Sequence, residues 1–390
     1  MANSLSNLTP KILANSVVSL RENAVVPSLV NQGYSLQPSQ KGSTITVPVP
    51  TAQTASAVTN SNSFPSNTDT TDSAVTVSLD KWYYTKFHLN DQELTQIDGE
   101  GAFIPMQASE AIKSLVNQAE SDLLAEYKSV YSTTGTAGTT PFASNATAWL
   151  TGARKLLNEE LAPMGNRRVI LDPAAEGNAM GLEAFQSAAW RGDGAPIREG
   201  EIGRVLGADF YMNQNIPTHT NGTLTNSSGM LAKVNDASYT VGESTVDIDD
   251  TSLSGTVVVG DVFTVAGDTQ TYTVTANATA ATNAIAGMAF TPASKVAWAD
   301  DAVVTFKTNA SSVQNLAFHR DAFAFASAPL ADAAIDTGEL GQPQSIIRDP
   351  ISGLVIRLTA ARQFMQTTFY FDMLYGVKLV RPELAARILG

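Results

Sequence analysis

The 390-residue sequence has no cysteine, only three histidines, and a charged content of just 16%. The first absence excludes disulfides, thiolate metal sites and cysteine nucleophiles. The second leaves His88, His219 and His319 as the side chains that ordinarily titrate near neutrality. No HExxH, no GxSxG and no Gly-rich loop followed by Lys-Ser/Thr occurs. No uninterrupted apolar run approaches the roughly 20 residues that a membrane helix needs, so no membrane partner is expected. The opening MANSLSNLTPKILANS has no basic stretch leading into an apolar one; the expectation is no secretory signal and a protein made and assembled in a cytoplasm. The formal net charge is −13, and no Lys/Arg cluster is interleaved with aromatics, which argues against tight, direct nucleic-acid binding. Arg167-Arg168 is one adjacent pair, and Arg191 and Arg198 are scattered; all read as solvated surface charge.

What is present is a folded chain. Hydrophobic residues make up 43%, enough for a core, and the length suits two or three domains. Thr44 to Val49 and Ala74 to Asp80 alternate apolar and polar with period two, the mark of half-buried strands. Between them, residues 51–73 are mostly Thr, Ser, Asn, Ala and Asp, with Phe64 and Val58 as the larger apolar residues. Such a segment cannot bury enough apolar surface to offset the cost of ordering its backbone, roughly 1–2 kcal/mol per residue. Two strands thus carry a long polar tip away from the body.

Helical spacing marks residues 9–26, with Pro27 ending them. It marks 105–131 more strongly: Ala108, Ile112, Leu115, Val116, Ala119, Leu123, Tyr127 and Val130 fall on one face of a helix about 40 Å long. That is a spine for a sheet or helix to lie against. TGTAGTT, 134–140, follows as a flexible turn. A helix from an Asn145 cap to Pro163, a buried strand at 168–171 and a helix AAEGNAMGLEAFQSA opened by Asp172 and Pro173 give an α/β stretch. Aromatics crowd the strand Trp82 to Leu89, read as ordinary packing. From 221 to 312, short alternating runs split by Gly, Asp and Asn predict an inserted small barrel or sandwich. Strands return at 315–325, 354–359, 368–371 and 377–380 and are expected to pair with sheets begun before residue 220.

Chemistry is sparse. His88 lies beside Phe87 and Leu89, and His319 within NLAFHR; for each, a hydrogen-bonded structural histidine outweighs a base or ligand. Asp247, Asp249 and Asp250 resemble a fragment of a calcium loop, but the required Gly and the closing Glu are missing, which leaves a charged turn. Asp300-Asp301 reads as a solvated turn. Gly135 and Gly138 have no lysine nearby to complete a phosphate cradle. No catalytic, cofactor-binding or metal residue is assigned, and no cofactor is expected. A long chain with a polar arm, a spine and a β module but no visible site is built to touch copies of itself.

Several stretches taken in order resemble the major capsid (coat) proteins of tailed bacteriophages, specifically the podovirus type with an inserted β-barrel domain. LTPKILANSVVSLRENAVVPSLVN is similar to that family's N-terminal arm, and KGSTITVPVP to the start of its extended loop. VVVGDVFTVAG and TYTVTA are similar to its barrel strands, NLAFHRDAFAFASAPL and YGVKLVRPELAARIL to its last strands. The resemblance implies an α+β Hong-Kong-type capsid fold. Its parts would be an arm at 1–35, an extended β loop at 36–89, a peripheral domain with the spine helix at 90–200, an axial domain at 201–220 and 313–366, the barrel at 221–312, and a peripheral return at 367–390. It further implies a structural protein, not an enzyme, that forms hexamers and pentamers in an icosahedral virion shell. The implied partners are a scaffolding protein, a portal and a cement protein. The double-stranded DNA would be enclosed without sequence-specific binding, kept mobile by an acidic inner surface. Two other classes remain: a β-rich surface or adhesive protein binding glycans, and a glycosidase with two carboxylates about 5–10 Å apart.

Overall fold

The computed structural model describes residues 24–33, 41–49, 55, 57, 58, 60, 73–92, 103–143, 152–186, 200, 202–226, 229, 231–307, 311–330, 344–349 and 351–390. Most of the expected 9–26 helix, most of the 51–73 tip and the Asn145 cap lie outside these residues.

Strands β1 (Thr44–Val49) and β2 (Ser73–Ser78) pair antiparallel, with Ile45 opposite Val77 and Val47 opposite Val75. Ile45, Val47, Val49, Val75 and Val77 fall on one face, as period-two patterning requires. The root of this ribbon is glued down. Val47, Val77 and Leu79 are buried with Ala324, Ala326, Ala328 and Leu374 in a small separate core. Gly376 permits the approach, because a Cβ there would stand 2.2 Å from Ser78 O.

Helix α1 (Phe103–Leu124) is the spine, about 33 Å long at 1.5 Å per residue. It is shorter than the sequence suggests: from Ala125 to Ser129 the chain tightens into a 3₁₀ turn. The apolar stripe continues regardless, and Ile112, Val116, Leu123, Tyr127 and Val130 are all buried. The stripe lies against a five-stranded sheet made of β3 (Lys81–Asn90), β18 (Phe323–Ala328), β19 (Gln344–Arg348), β20 (Val355–Gln363) and β21 (Gln366–Leu379). The 14-residue β21 is its central strand, running unbroken where the sequence suggests two, because Met373, Leu374 and Tyr375 keep it buried between the two predicted segments. Phe87 stacks on Phe369 at 5.2 Å beneath α1, but Trp82, Tyr83 and Tyr84 remain exposed, so ordinary packing accounts for only part of that aromatic run.

A second, seven-stranded sheet holds β4 (Thr133–Gly135), β5 (Arg167–Leu171), β6 (Arg204–Val205), β7 (Ala208–Met212), β8 (Thr218–His219), β17 (Ser312–His319) and β22 (Ala385–Leu389). Part of the expected flexible turn at 134–140 is therefore strand: Thr133, Thr134 and Gly135 run parallel to β22. The short helices α2 (Arg154–Glu159), α3 (Pro173–Met180) and α4 (Glu183–Gln186) accompany it. Asp172 caps α3 as its sequence suggests, accepting from Ala174 N and Ala175 N. The single helix expected after Pro173 is split near Gly181. The expected 315–325 strand is also two, because a turn at Arg320–Ala322 hands the chain from one sheet to the other. Late strands pair with early ones: β17 with β5, and β21 with β3.

Between β8 and β17 the chain leaves to build a closed barrel in the order β10-β15-β13-β12-β16-β9. Its strands are β9 (Leu231–Val234), β10 (Thr245–Asp249), β12 (Val262–Val265), β13 (Tyr272–Val274), β15 (Ala284–Thr291) and β16 (Val303–Phe306). A small pair, β11 (Thr256–Val257) with β14 (Ala278–Thr279), sits beside it. The barrel has a core of its own, in which Phe263, Tyr272, Phe290 and Trp298 meet at centroid distances of 5.2–6.4 Å. Closure removes the sheet edges that a six-strand module would otherwise expose.

Candidate functional site: arm root and barrel junction

Residues 24–33 form the root of the N-terminal segment. Pro27 helps to set a 3₁₀ turn over Val26–Leu29. The N–H groups of Val25 and Val26 have no partner within that turn, and both donate to Glu120 Oε1, at 2.8 and 3.0 Å. The other oxygen of Glu120 accepts from the side-chain amides of Asn213 (2.7 Å) and Asn215 (3.1 Å). Glu120 is 1% exposed. A buried carboxylate is tolerated here because four N–H groups replace its water. At the other end Arg168 donates to Leu29 O. Asn31 then bridges to β18, donating to Phe323 O at 3.2 Å and accepting from Phe325 N at 3.0 Å. The arm root is thus clamped by α1, β5 and β18 together.

The barrel is fixed to the body by a second buried polar group. Tyr127 Oη lies 2.9 Å from His219 Nδ1, and His219 Nε2 lies 2.9 Å from Asp261 Oδ1. Asp261 also accepts from Val258 N (2.8 Å) and Gly222 N (3.1 Å). With Nε2 donating to the carboxylate, Nδ1 is the acceptor for the tyrosine O–H. Beside this chain lies Arg387 of β22, 1% exposed. Its Nε donates to Val130 O (2.6 Å), Nη1 to Gly260 O (2.8 Å) and Nη2 to Thr273 Oγ1 (2.9 Å). The guanidinium carbon stands 5.4 Å from the Tyr127 ring centroid. Burial pulls the Arg387 pKa down to about 9, against the favourable influence of Tyr127 and Asp261. Burial likewise raises that of Tyr127. Thr271 Oγ1 adds a bond to Tyr131 O at 2.8 Å. Gly260, Asp261, Thr271 and Thr273 belong to the barrel region, while Tyr127, Val130, Tyr131 and Arg387 belong to the body.

A tyrosine–histidine–aspartate chain invites a catalytic reading. The geometry argues against it. All three side chains are buried. The cavity that touches His219, Gly260 and Arg387 has a volume of about 10 Å³, room for about one water and no substrate. The arrangement joins two parts of one chain.

No family model matches the chain, and no curated protein matches it. Solved structures do. A chain of the capsid of cyanophage P-SCSP1u superimposes with a TM-score of 0.51 at 11% identity, covering 94% of this chain and 87% of that one. A chain from Mycobacterium phage Che8 gives 0.50 at 16% identity, covering 94% and 90%. The fold is the Hong-Kong-type phage capsid fold. This chain is mixed helix and sheet and includes a closed six-strand barrel.

Within this capsid fold the three histidines have different settings. His88 is exposed on β3. His219 sits in the barrel junction. His319 is buried and caps the Arg320–Ala322 turn, accepting from Asp321 N at 3.3 Å; burial lowers its pKa. The expected charged turn is only partly one: Asp247 and Asp249 lie in strand β10, where Asp247 accepts from Gly287 N of the neighbouring strand β15, while Asp250 beyond the strand accepts from Thr251 N. Among the described residues no cluster of His, Asp and Glu could hold a metal. Asp301 pairs with Lys233 at 3.3 Å in the open. The reading of Arg167-Arg168 as solvated charge is wrong. Arg167 is 3% exposed and donates to Pro163 O, Ala162 O and Asn158 Oδ1, tying the carbonyls after α2 to β5. Arg168 holds the arm root. Sequence reasoning also missed Glu120 and Arg387. Both left a signal: Glu120 falls four residues after Val116 on the apolar stripe, and Arg387 is a lone cation inside the apolar run LAARIL.

Proposed function

We propose that this chain is a structural major capsid protein, not an enzyme, which self-assembles into an icosahedral shell enclosing double-stranded DNA. The observation that carries the proposal is the likeness to a phage capsid chain along 94% of this sequence. The ribbon supports it. Its root is anchored by a core of its own, while Val58 beyond the root is 94% exposed. A tip of this polar composition suits the surface of a neighbour, where assembly repays the ordering cost. The chain would form hexamers and pentamers of the podovirus type, with a scaffolding protein, a portal and a cement protein as partners. It would assemble in the host cytoplasm and reside in the virion. The net charge of −13 favours enclosing DNA without tight or sequence-specific binding. We assign residues 221–312 to an inserted domain, 1–35 to the arm and 36–89 to the extended loop.

The test is co-expression with the neighbouring phage genes, followed by electron microscopy. Closed shells of uniform size are the expected outcome. Monomers or fibres under conditions where the subunit is folded would overturn the proposal.

A further inference from the structure

A cavity of about 270 Å³ lies where the ribbon root, the arm root and the Arg320–Ala322 turn meet. Its polar lining is Asn31, His319, Asp321 and Arg381, and Val47 and Val380 form part of its apolar wall. Two of the polar groups are donors with no acceptor. His319 Nδ1 accepts from Asp321 N at 3.3 Å, so in the neutral ring Nε2 carries the proton. Among the described residues nothing accepts from Nε2, and the half-buried Arg381 side chain has neither a hydrogen bond nor an ion pair.

The surrounding charge is positive. His319 stands opposite Arg167 in the β17–β5 pair. Arg167 is 3% exposed, and its guanidinium meets only neutral acceptors, Pro163 O, Ala162 O and Asn158 Oδ1. Beside it, Arg168 donates to Leu29 O and keeps a buried Nε without a partner. Burial lowers the pKa of the His319 ring; Asp321 opposes this, and Arg167, Arg168 and Arg320 lower it further. Asp321 is already engaged, since its Oδ1 accepts from Asn31 Nδ2 at 3.0 Å. Asp209 acts on Arg168 but pairs with Arg204 at 3.8 Å. On a chain of net charge −13, this is a local excess of cations. A buried guanidinium without a counter-ion is costly, and an anion in the adjacent cavity offsets that cost.

The chemistry of the lining sets the class of ligand. The ligand must be small, carry negative charge and accept from an imidazole N–H and a guanidinium together. Arginine and histidine donors suit oxyanions, to which they make short, charge-assisted bonds. We propose that this cavity is an oxyanion site, in which a free ion of the phosphate or sulfate type bridges His319 and Arg381 and neutralises the arginines behind them. The bound ion would tie the ribbon root, the arm root and the turn to one another. The site belongs to the single subunit, so its test is independent of the shell reading.

Sulfate and phosphate stabilise most proteins through exclusion from their surfaces, so a raised thermal midpoint would not discriminate. The presence of only three histidines supplies a selective readout instead. The full chain, unassembled and isotopically labelled at histidine, is titrated with sodium sulfate at an ionic strength held constant with chloride. Imidazole NMR should show a saturable shift at His319, with His88 and His219 unmoved. The His319 pKa should rise in saturating sulfate, because an oxyanion favours the imidazolium. Inorganic phosphate should compete for the same shift. Arg381→Gln removes a group without a partner in the subunit, so the midpoint without sulfate should stay the same while sulfate binds at least about tenfold more weakly. No saturable shift at His319, or the same shift with chloride alone, would overturn the proposal. Equal movement of all three histidines would mean an adventitious ion only and would overturn it too. Undiminished affinity in Arg381→Gln would remove Arg381 from the site and the bridging ion with it.

Discussion

Glu120 gives the sharpest test of how the arm root is held. In Glu120→Ala, the N–H groups of Val25 and Val26 lose their acceptor, and so do the side-chain amides of Asn213 and Asn215. Val26 and Asn213 are buried, so neither reaches water without local opening, whereas Val25 and Asn215 are only partly buried and can be rehydrated. An orphaned buried donor costs about 1–3 kcal/mol. Two such donors, with partial compensation at the others, set the loss at about 3–5 kcal/mol. Glu120→Gln separates charge from shape. It keeps one oxygen for Val25 and Val26 but turns an NH₂ toward two amide donors. Asn213 cannot flip to accept without giving up Asn215 N, which it holds through Oδ1 at 2.6 Å. The glutamine variant should therefore lose about 1–2 kcal/mol.

The assay is denaturant unfolding of the unassembled subunit, together with amide hydrogen exchange at Val25 and Val26. Both midpoints should fall, alanine further than glutamine, and the two amides should exchange faster in both variants. An alanine variant that loses less than about 1 kcal/mol, with the two amides still protected, would refute the clamp.

Other expectations follow from the same contacts. Arg387→Met leaves Val130 O and Gly260 O without their donor and should cost about 3 kcal/mol by calorimetry; an unchanged midpoint would mean that the barrel junction is held elsewhere. Leu123→Asp puts an unpaired charge on the buried stripe of α1 and should remove about 4 kcal/mol, leaving little soluble subunit; a soluble, assembly-competent variant would contradict the packing. Deleting residues 55–70 should leave the subunit midpoint nearly unchanged while closed-shell yield collapses, because loop length costs only logarithmically in free energy. Burial raises the Glu126 carboxyl above its ordinary pKa, against the opposing Leu379 N–H. That group's stabilisation is complete below the unfolded pKa and is lost as pH rises through the folded one. Glu126→Gln, which mimics the protonated form, should then be more stable than the unmodified chain at neutral pH and lose that advantage below about pH 4.

The elements that rest on periodicity were legible in the sequence. The α1 stripe, the alternating ribbon strands and the barrel runs each follow from which side faces water. What periodicity does not carry is where a strand ends and whether a polar residue faces inward. Residues 368–371 and 377–379 are one strand because Met373, Leu374 and Tyr375 between them are buried on both faces, and a two-faced strand has no alternation to read. Arg167 and Arg168 look like surface charge because composition alone does not reveal the carbonyls after α2 or the arm-root turn that wait for them. The junction histidine is the clearest case. His219 stands in a stretch with no pattern, and its partners Tyr127 and Asp261 lie 92 and 42 residues away.

Several of the polar contacts that the sequence concealed share one support. Glu120 on α1 takes the arm root. Two residues later Asp122 accepts from Tyr375 Oη of β21 at 2.7 Å and pairs with Lys81 of β3 at 3.3 Å. In the 3₁₀ turn that extends the helix, Glu126 accepts from Leu379 N at 3.3 Å, and Tyr127 reaches His219 of the barrel junction. An apolar stripe alone would let α1 slide or rotate on the sheet at little cost, since hydrophobic contact has no direction. Polar residues at fixed intervals along the helix admit one register, because any slip strands a buried donor or acceptor. A subunit built this way holds the arm root, the five-stranded sheet and the barrel at set positions along one rod. In the proposed shell that rigidity has a use: small angular errors between parts of a subunit would accumulate around a closed surface, and a register fixed by polar contacts limits them.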